Sequence, residues 1–576
     1  MGSTTDIRAR LSIGVTAHRD LLPEEEPALR ATVREFFLGL REQFPELPLR
    51  LISALAEGGD LLVAEEALAL GIELVVPLPM AQAEYERDFS DASVVARFRN
   101  LLGQADVRVL PLAPGVTTEA IAVRGEARNH QYAQLGMFVS SHCQLLLVLW
   151  DGNPSNAMGG TAQVIEFHLR DVMPNLSLDQ IAPNLLADDE SDLIFHISCS
   201  RRVGSGGKPP RLPPLQTRWV TLEGEHPTSD GMPKHYIHVF QQMEMFNADM
   251  RKYAAGIASQ QSQFFSLPLP SALPPNATCV ERQFHAADWL AVHFQRRVRM
   301  SLWCTHAIAG LMGLSFILFS DVETSRMYLV AFLALFLAGV ILTFIGERRE
   351  WHRKYLDYRG LAEGLRVQLY WRMADVEIPP NSSLGYDSFL QKQDVDLSWI
   401  RHAMRGTGLL RDEAFVPDSR WLTWVIEHWI GDSAGHGGQL DYFRRSSLRR
   451  EHAHATTTRL GYLALLAGLS GACLLLMSGN RLPVAAQNGL VVAMGLLPLL
   501  AGIREAYSYK KADKELIKQF RFMSRLFDSC RARLQKARSE AETRQLLLAL
   551  GRACLEEHAE WILLHRERPL EHAQIG

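Results

Sequence analysis

Through residues 1–173, short apolar runs alternate with longer amphipathic ones. The runs Leu11–Val15, Leu49–Leu55, Glu73–Pro77, Val107–Leu112 and Cys143–Trp150 read as strands. Between them, apolar positions recur at helical spacing over Pro27–Gln43, Asp60–Leu70, Ala83–Phe89, Ser93–Ala105 and Glu126–Ser140. Strand–helix alternation of this kind predicts an α/β, Rossmann-like domain with a parallel sheet covered on both faces.

The pattern changes in the second half. Four apolar stretches, at about Ser301–Ser320, Met327–Gly346, Leu460–Met477 and Leu482–Ile503, approach the ~20 residues that cross a hydrocarbon core of roughly 30 Å. The second carries no charge, whereas the first holds Thr305 and His306 and the fourth holds Gln487, Asn488 and Pro498. Basic residues bracket each pair: Arg296, Arg297 and Arg299; Arg348, Arg349, Arg353 and Lys354; Arg444 through Arg459; Arg504 through Lys514. The tips inside each pair hold few. The positive-inside rule then predicts a multi-pass protein with both termini and the central segment in the cytoplasm.

The two pairs read as one unit used twice: a basic helix, two spans in a tight hairpin, then a long charged helix. Tyr355, Tyr358, Leu361 and Leu365 follow the first pair at helical spacing; Leu516, Phe520, Met523 and Phe527 follow the second. The expected organisation is therefore a sheet domain (1–173), a loop-rich extension and linker (174–283), a first two-span helical unit (284–374), a cytoplasmic connector (375–439) and a second two-span unit (440–576). The extension includes the Pro/Gly-rich SRRVGSGGKPPRLPP, with strand-like runs at Leu193–Cys199 and Trp219–Leu222 and a helix at Ile237–Tyr253. A helix over Phe284–Arg299 is expected to run into the first span. The WLTWVIEHWI segment of the connector is expected to pack.

Composition explains the mixture. A 576-residue chain needs no staples to bury a core, and 47% hydrophobic against 22% charged residues excludes extended disorder. Sixty basic against 64 acidic residues give a net charge of −4, which argues against duplex nucleic acid as a partner. Seven scattered cysteines without a CxxC pair argue against a disulfide framework or a zinc site, and no metal site is expected. The first ten residues hold no apolar core, so no secretory signal is expected.

In a parallel sheet, ligands sit beyond the carboxyl ends of the strands. The residues that follow the strands are small, acidic or basic. After the first comes GVTAHRD, with Gly14, Thr16, His18 and Arg19; after the second SALAEGGD, with Ser53, Glu57, Gly58 and Asp60. After the fifth comes WDGNPSNAMGGTAQV, with Asp151, Gly152, Gly159, Gly160 and Thr161; Arg128 and Asn129 lie on the helix before it. Amides of Gly159, Gly160 and Thr161 at a helix start suit a phosphate. His18, Arg19 and Arg128 supply donors to phosphate, and Glu57, Asp60 and Asp151 acceptors for ribose hydroxyls.

GVTAHR, SALAEGGD, RNHQYAQLGMFV, LLLVLWDG and GGTAQVIEF resemble the SLOG superfamily, Rossmann-like domains related to the Lonely Guy phosphoribohydrolases and DprA-like proteins. FHAADWLAVHFQRRVRMSLW and HAEWILLHRERPLE resemble SLATT domains, membrane effectors of bacterial conflict systems. Ala17 stands where the first motif often has a second glycine. Gln163 stands where the hydrolase relatives place their catalytic glutamate, which favours binding without turnover and no catalytic residue.

The resemblance implies a nucleotide sensor coupled to a membrane effector: an oligomeric ligand-gated pore or membrane-disrupting protein of the bacterial inner membrane, in antiphage defence. The implied ligand is a nucleotide or NAD-derived signal such as ADP-ribose, cyclic ADP-ribose or a cyclic oligonucleotide; no permanent cofactor is expected. The implied partners are that ligand, the lipid bilayer and further copies of the chain. The alternatives are a membrane-anchored nucleotide hydrolase using Arg128 and an acid such as Glu57, and a protein-binding membrane scaffold.

Overall fold

The computed structural model describes residues 7–113, 115–170, 173, 192–202, 209–260, 268–273, 275–376, 389, 397–408, 419–432, 437–478 and 481–566. Part of the Pro/Gly-rich segment, much of the connector and the closing ERPLE fall outside them. The chain combines an N-terminal mixed sheet of mostly parallel strands with a helical region carrying four long apolar helices.

The first five strands are β1 (Leu11–Ala17), β2 (Leu49–Ile52), β3 (Glu73–Leu78), β4 (Asp106–Val109) and β5 (Leu145–Trp150). The helices between them are α1 (Glu26–Gln43), α2 (Gly59–Ala69), α3 (Ala92–Leu102) and α4 (Glu126–His142), and α5 (Thr161–Arg170) follows β5. The sheet order is β4-β3-β2-β1-β5-β6-β7-β8. Strand β6 (Ile194–Ser198) pairs parallel to β5, then β7 (Thr217–Thr221) and β8 (Gly224–Pro227) add antiparallel. The sheet thus continues past residue 173. Strand β1 is buried along its whole length, as a central strand covered on both faces must be.

Helix α6 (Lys234–Lys252) returns beneath the starts of the strands. Asn247 caps that edge: its Oδ1 accepts from the Ala9 amide at 2.8 Å, and its Nδ2 donates to the Ala9 and Glu46 carbonyls at 2.9 and 2.8 Å. Helix α10 (Ser398–Gly408) closes the same edge. Arg50 donates to the Gly406 carbonyl at 2.6 Å, and Gln144 to the His402 carbonyl at 3.3 Å while accepting from Ser12 at 2.6 Å.

The membrane-type helices are α7 (Pro275–Ile317), α8 (Arg326–Arg348), α12 (Gly438–Ser478) and α13 (Val484–Lys510). The 43 residues of α7 reach about 65 Å, twice the hydrocarbon thickness, so α7 is both collar and span. The most apolar window of α8 has a mean hydropathy of 2.7 and is only 6% buried within the chain, so α8 is long and apolar enough to cross a membrane. Between the hairpins, α7 packs on α13 through small residues: a Cβ on Gly313 would lie 2.1 Å from Leu499, and one on Gly495 2.9 Å from Ile317.

Helix α9 (Trp351–Met373) follows α8, and α14 (Asp513–Leu534) follows α13. Both joints turn on a non-glycine residue in the left-handed region, Glu350 (φ 50°, ψ 35°) and Ala512 (φ 51°, ψ 38°). These stand 162 residues apart (512 − 350 = 162), the same offset that relates Tyr358, Leu361 and Leu365 to Phe520, Met523 and Phe527. The two units repeat in joint geometry as well as in pattern. Helix α9 is no surface stalk: Leu356, Leu361, Leu365 and Leu369 are fully buried, packed by α10, by α11 (Ser419–Val425) with Trp421 and Trp424, and by α15 (Glu540–Arg566). Trp371 donates to the Leu547 carbonyl at 3.0 Å, and a Cβ on Gly551 would strike its indole.

Asn247→Ala strands three backbone groups at the sheet edge, two of them buried. It is expected to cost ~2–4 kcal/mol of stability, read as a lower melting temperature of the purified chain, whereas the exposed substitution Glu42→Ala leaves it unchanged.

Candidate nucleotide site

A cleft of about 480 Å³ opens where the strand order reverses, above the carboxyl ends of β1 and β5. Its floor is set by close approaches that glycine permits. Gly58, at φ +89°, would place a Cβ 2.3 Å from the Arg19 carbonyl, and one on Gly59 would lie 2.3 Å from the Ala17 methyl. The Gly59 amide donates to the His18 carbonyl at 3.0 Å, and Thr161 Oγ1 to the Ala17 carbonyl at 3.1 Å. Ala17 occupies an ordinary strand position, which does not require a glycine.

Of the residues singled out above, Thr16, His18, Arg19, Asp60, Asp151, Gly159, Gly160 and Thr161 line the cleft. The others do not. Gly14 lets α4 pass over β1; a Cβ there would meet Cys143 Sγ at 2.8 Å. Ser53 is buried and accepts from the Leu55 amide at 3.2 Å, bracing a left-handed Leu55. Glu57 turns outward and accepts from the Ser90 amide at 3.0 Å. Arg128 is buried against Asp88 at 2.9 and 2.7 Å and donates to the Glu84 carbonyl at 2.7 Å, so it organises the loop over the cleft. Asn129 is exposed, and Gly152, at φ +78°, packs near Arg211.

The pattern missed Tyr85, Tyr132, Trp150 and Arg201, which also line the cleft. Tyr132 lies within the RNHQYAQLG segment, one helical turn beyond Arg128 on α4, and that was its available signal. Arg201 arrives from the segment after β6, beyond the expected domain edge, and grips Asp20 at 2.9 and 3.0 Å.

The phosphate-type turn differs in detail from the expectation. The Gly159 amide donates to Gln163 Oε1 and the Gly160 amide to the Ala157 carbonyl, both at 3.0 Å. Two amides of the three are thus already used. Those of Thr161 and Ala162 have no partner among the described residues and open the helix to the cleft. Gln163 is 3% exposed and occupied as a brace, which takes it out of any catalytic role.

Charge in the cleft is arranged in pairs. The Arg19 guanidinium lies 5.4 Å over the Tyr132 ring, whose hydroxyl donates to Asp88. His18 Nε2 stands 3.2 Å from Asp151 Oδ1; burial holds the imidazole below its ordinary value despite that carboxylate, so it is neutral at pH 7. Burial pushes Asp60 up to about 7, against the opposing effects of Arg19 and of hydrogen bonds from the Ala56 and Ala17 backbone. The site therefore offers two amides and an arginine to an anion, and two acids, Asp60 and Asp151, the first half-protonated at neutrality, to hydroxyls. Comparison with protein-family models and with curated proteins returns no match to this chain.

Because the folded pKa of Asp60 is raised, its stabilising contribution is complete below the ordinary value of 3.8 and is lost as pH rises through about 7. Across that window the slope is at most about 1.4 kcal/mol per pH unit. Asp60→Asn is expected to flatten the melting-temperature profile there; a profile identical to wild type contradicts the assignment.

Proposed function

We propose that this chain is a nucleotide-responsive membrane protein, in which a nucleotide or NAD-derived ligand binds the sheet-edge cleft and alters the state of the four spans. The observation that carries the reading is the cleft at the strand-order reversal, with the free Thr161 and Ala162 amides beside Arg19 and the Asp60 and Asp151 carboxyls within the same wall. A ribose phosphate has the complementary chemistry: one anionic end and a set of hydroxyls. The resemblance to SLOG and SLATT domains points the same way, to an oligomeric effector of a bacterial conflict system acting at the inner membrane with its soluble parts in the cytoplasm.

Binding without turnover is favoured over a hydrolase. Glu57 and Arg128, the groups such an enzyme would use, are engaged outside the cleft, and Gln163 is held as a brace. A ligand shifts the spans only by as much as it prefers one arrangement of the chain over another.

The test uses the full chain in detergent with ADP-ribose, NAD, cyclic ADP-ribose and cyclic oligonucleotides. At least one is expected to raise the melting temperature and to be recovered intact; at a hundredfold excess over Kd the gain is about 2.7 kcal/mol. Arg19→Ala and Gly160→Asp are expected to weaken that ligand tenfold or more. Release of free base or ribose phosphate would replace the sensor with the enzyme.

A further inference from the structure

The basic residues beneath the spans fall into two classes. Those farther from the apolar stretches are paired within the chain: Lys354 with Asp249 at 2.7 Å, Arg359 with Asp288 at 2.9 Å, Arg366 with Glu363 at 3.0 Å, Arg445 with Asp441 and Arg521 with Glu451 at 2.7 Å. Where the helices leave the apolar stretches, Arg504 pairs with Glu505 at 2.6 Å, whereas five other arginines have no such partner. Arg296, Arg299, Arg348, Arg349 and Arg459 are exposed, and no carboxylate among the described residues lies within 4 Å of them. They come from α7, α8 and α12, so one level of the molecule gathers unneutralised guanidinium groups from three of the four spanning helices.

That level has a built centre between the hairpins, where α7 crosses α13. The His306 ring meets the Tyr507 ring edge-on at 5.3 Å, and Lys511 Nζ sits 5.2 Å over the same Tyr507 ring. Arg299 lies within electrostatic reach of the Tyr507 phenol. Asp513 lies 3.5 Å from Lys511 and 4.0 Å from Arg450. One helical turn above Arg299, Trp303 is 61% exposed, the usual placement of an indole at a membrane–water interface.

We propose that this level binds the phosphate headgroups of anionic phospholipids in the cytoplasmic leaflet, with Arg299 and Lys511 flanking Tyr507 at its centre. A guanidinium matches two phosphate oxygens, an ammonium adds a point charge, and a phenol hydroxyl donates to a third oxygen. The occupant is a lipid because the cations share one level with an exposed indole and the lower ends of the apolar surfaces. The proposal rests on the four helices crossing a bilayer and not on the nucleotide reading.

The test is native mass spectrometry of the full chain after equilibration in detergent with equal phosphatidylglycerol and phosphatidylcholine. Wild type is expected to retain phosphatidylglycerol preferentially. Arg299→Ala with Lys511→Ala is expected to lower that retention about fivefold for each charge removed, equivalent to ~1 kcal/mol per basic residue. Arg299→Lys with Lys511→Arg keeps the charges and retains the lipid, which separates headgroup binding from a folding defect, as does an unchanged melting temperature. Equal retention of the two lipids by wild type overturns the proposal. So does a double alanine variant that matches wild type, or displacement of phosphatidylglycerol by inorganic phosphate alone.

Discussion

The structure depends on how the buried amino edge of the sheet is closed. Strands that begin beneath a layer of helices present backbone groups that water cannot reach, and each unsatisfied group costs of order 1–3 kcal/mol. Asn247 and Gln144 supply partners to the Ala9 and Ser12 amides, and Arg50 and Gln144 donate to the Gly406 and His402 carbonyls, so the sheet is bound to α6 and α10. One edge of the sheet is thereby fixed to the helical body. The opposite edge, with glycines at its turns, stays open and forms the cleft.

This division sets the route between cleft and membrane. The seven residues of β1 span about 20 Å, from the His18 loop to the Ala9 cap. Asn247 and Asp249 share α6, and Asp249 accepts from Tyr358 at 2.7 Å and pairs with Lys354 at 2.7 Å, both on α9. Helix α9 meets the second span of its hairpin at the left-handed Glu350 joint. The helix expected over Phe284–Arg299 does run into the first span, and Phe284 lies on it. That residue is a buried part of α7, and α6 with α9 provides a second, hydrogen-bonded link. Contiguity of this kind is a mechanical connection, and coupling along it is a separate, measurable quantity.

The elements with strong periodicity were legible from sequence: the first five strands, the four apolar helices and the repeated unit. The strand-like runs at Leu193–Cys199 and Trp219–Leu222 were legible as β6 and β7, but their place in the first domain's sheet and β8 were less so. β7 and β8 are short, edge-proximal and partly exposed, and they follow a Pro/Gly-rich stretch that resembles a domain boundary. Helix α9 reads as charged, yet its acids and arginines neutralise one another in the interior, as Arg359 and Arg366 do around Glu363. At the site, spacing located the loops but not the rotamers. A glycine after a strand serves equally for packing, as Gly14 does, or for a cleft wall, as Gly159 does. Arg128 and Glu57 have the chemistry of ligand groups but are captured by Asp88 and Ser90, forty and thirty-three positions away, a choice that only the folded loops make.

The central claim is that occupancy of the cleft changes the membrane. Dye release from sealed liposomes carrying the full chain measures it directly, with each candidate nucleotide added on the side that bears the sheet domain. A nucleotide that stabilises the chain is expected to change the release rate, and Arg19→Ala to abolish that change while the protein stays inserted. A stabilising nucleotide that leaves release unaltered contradicts the coupling on which the account depends.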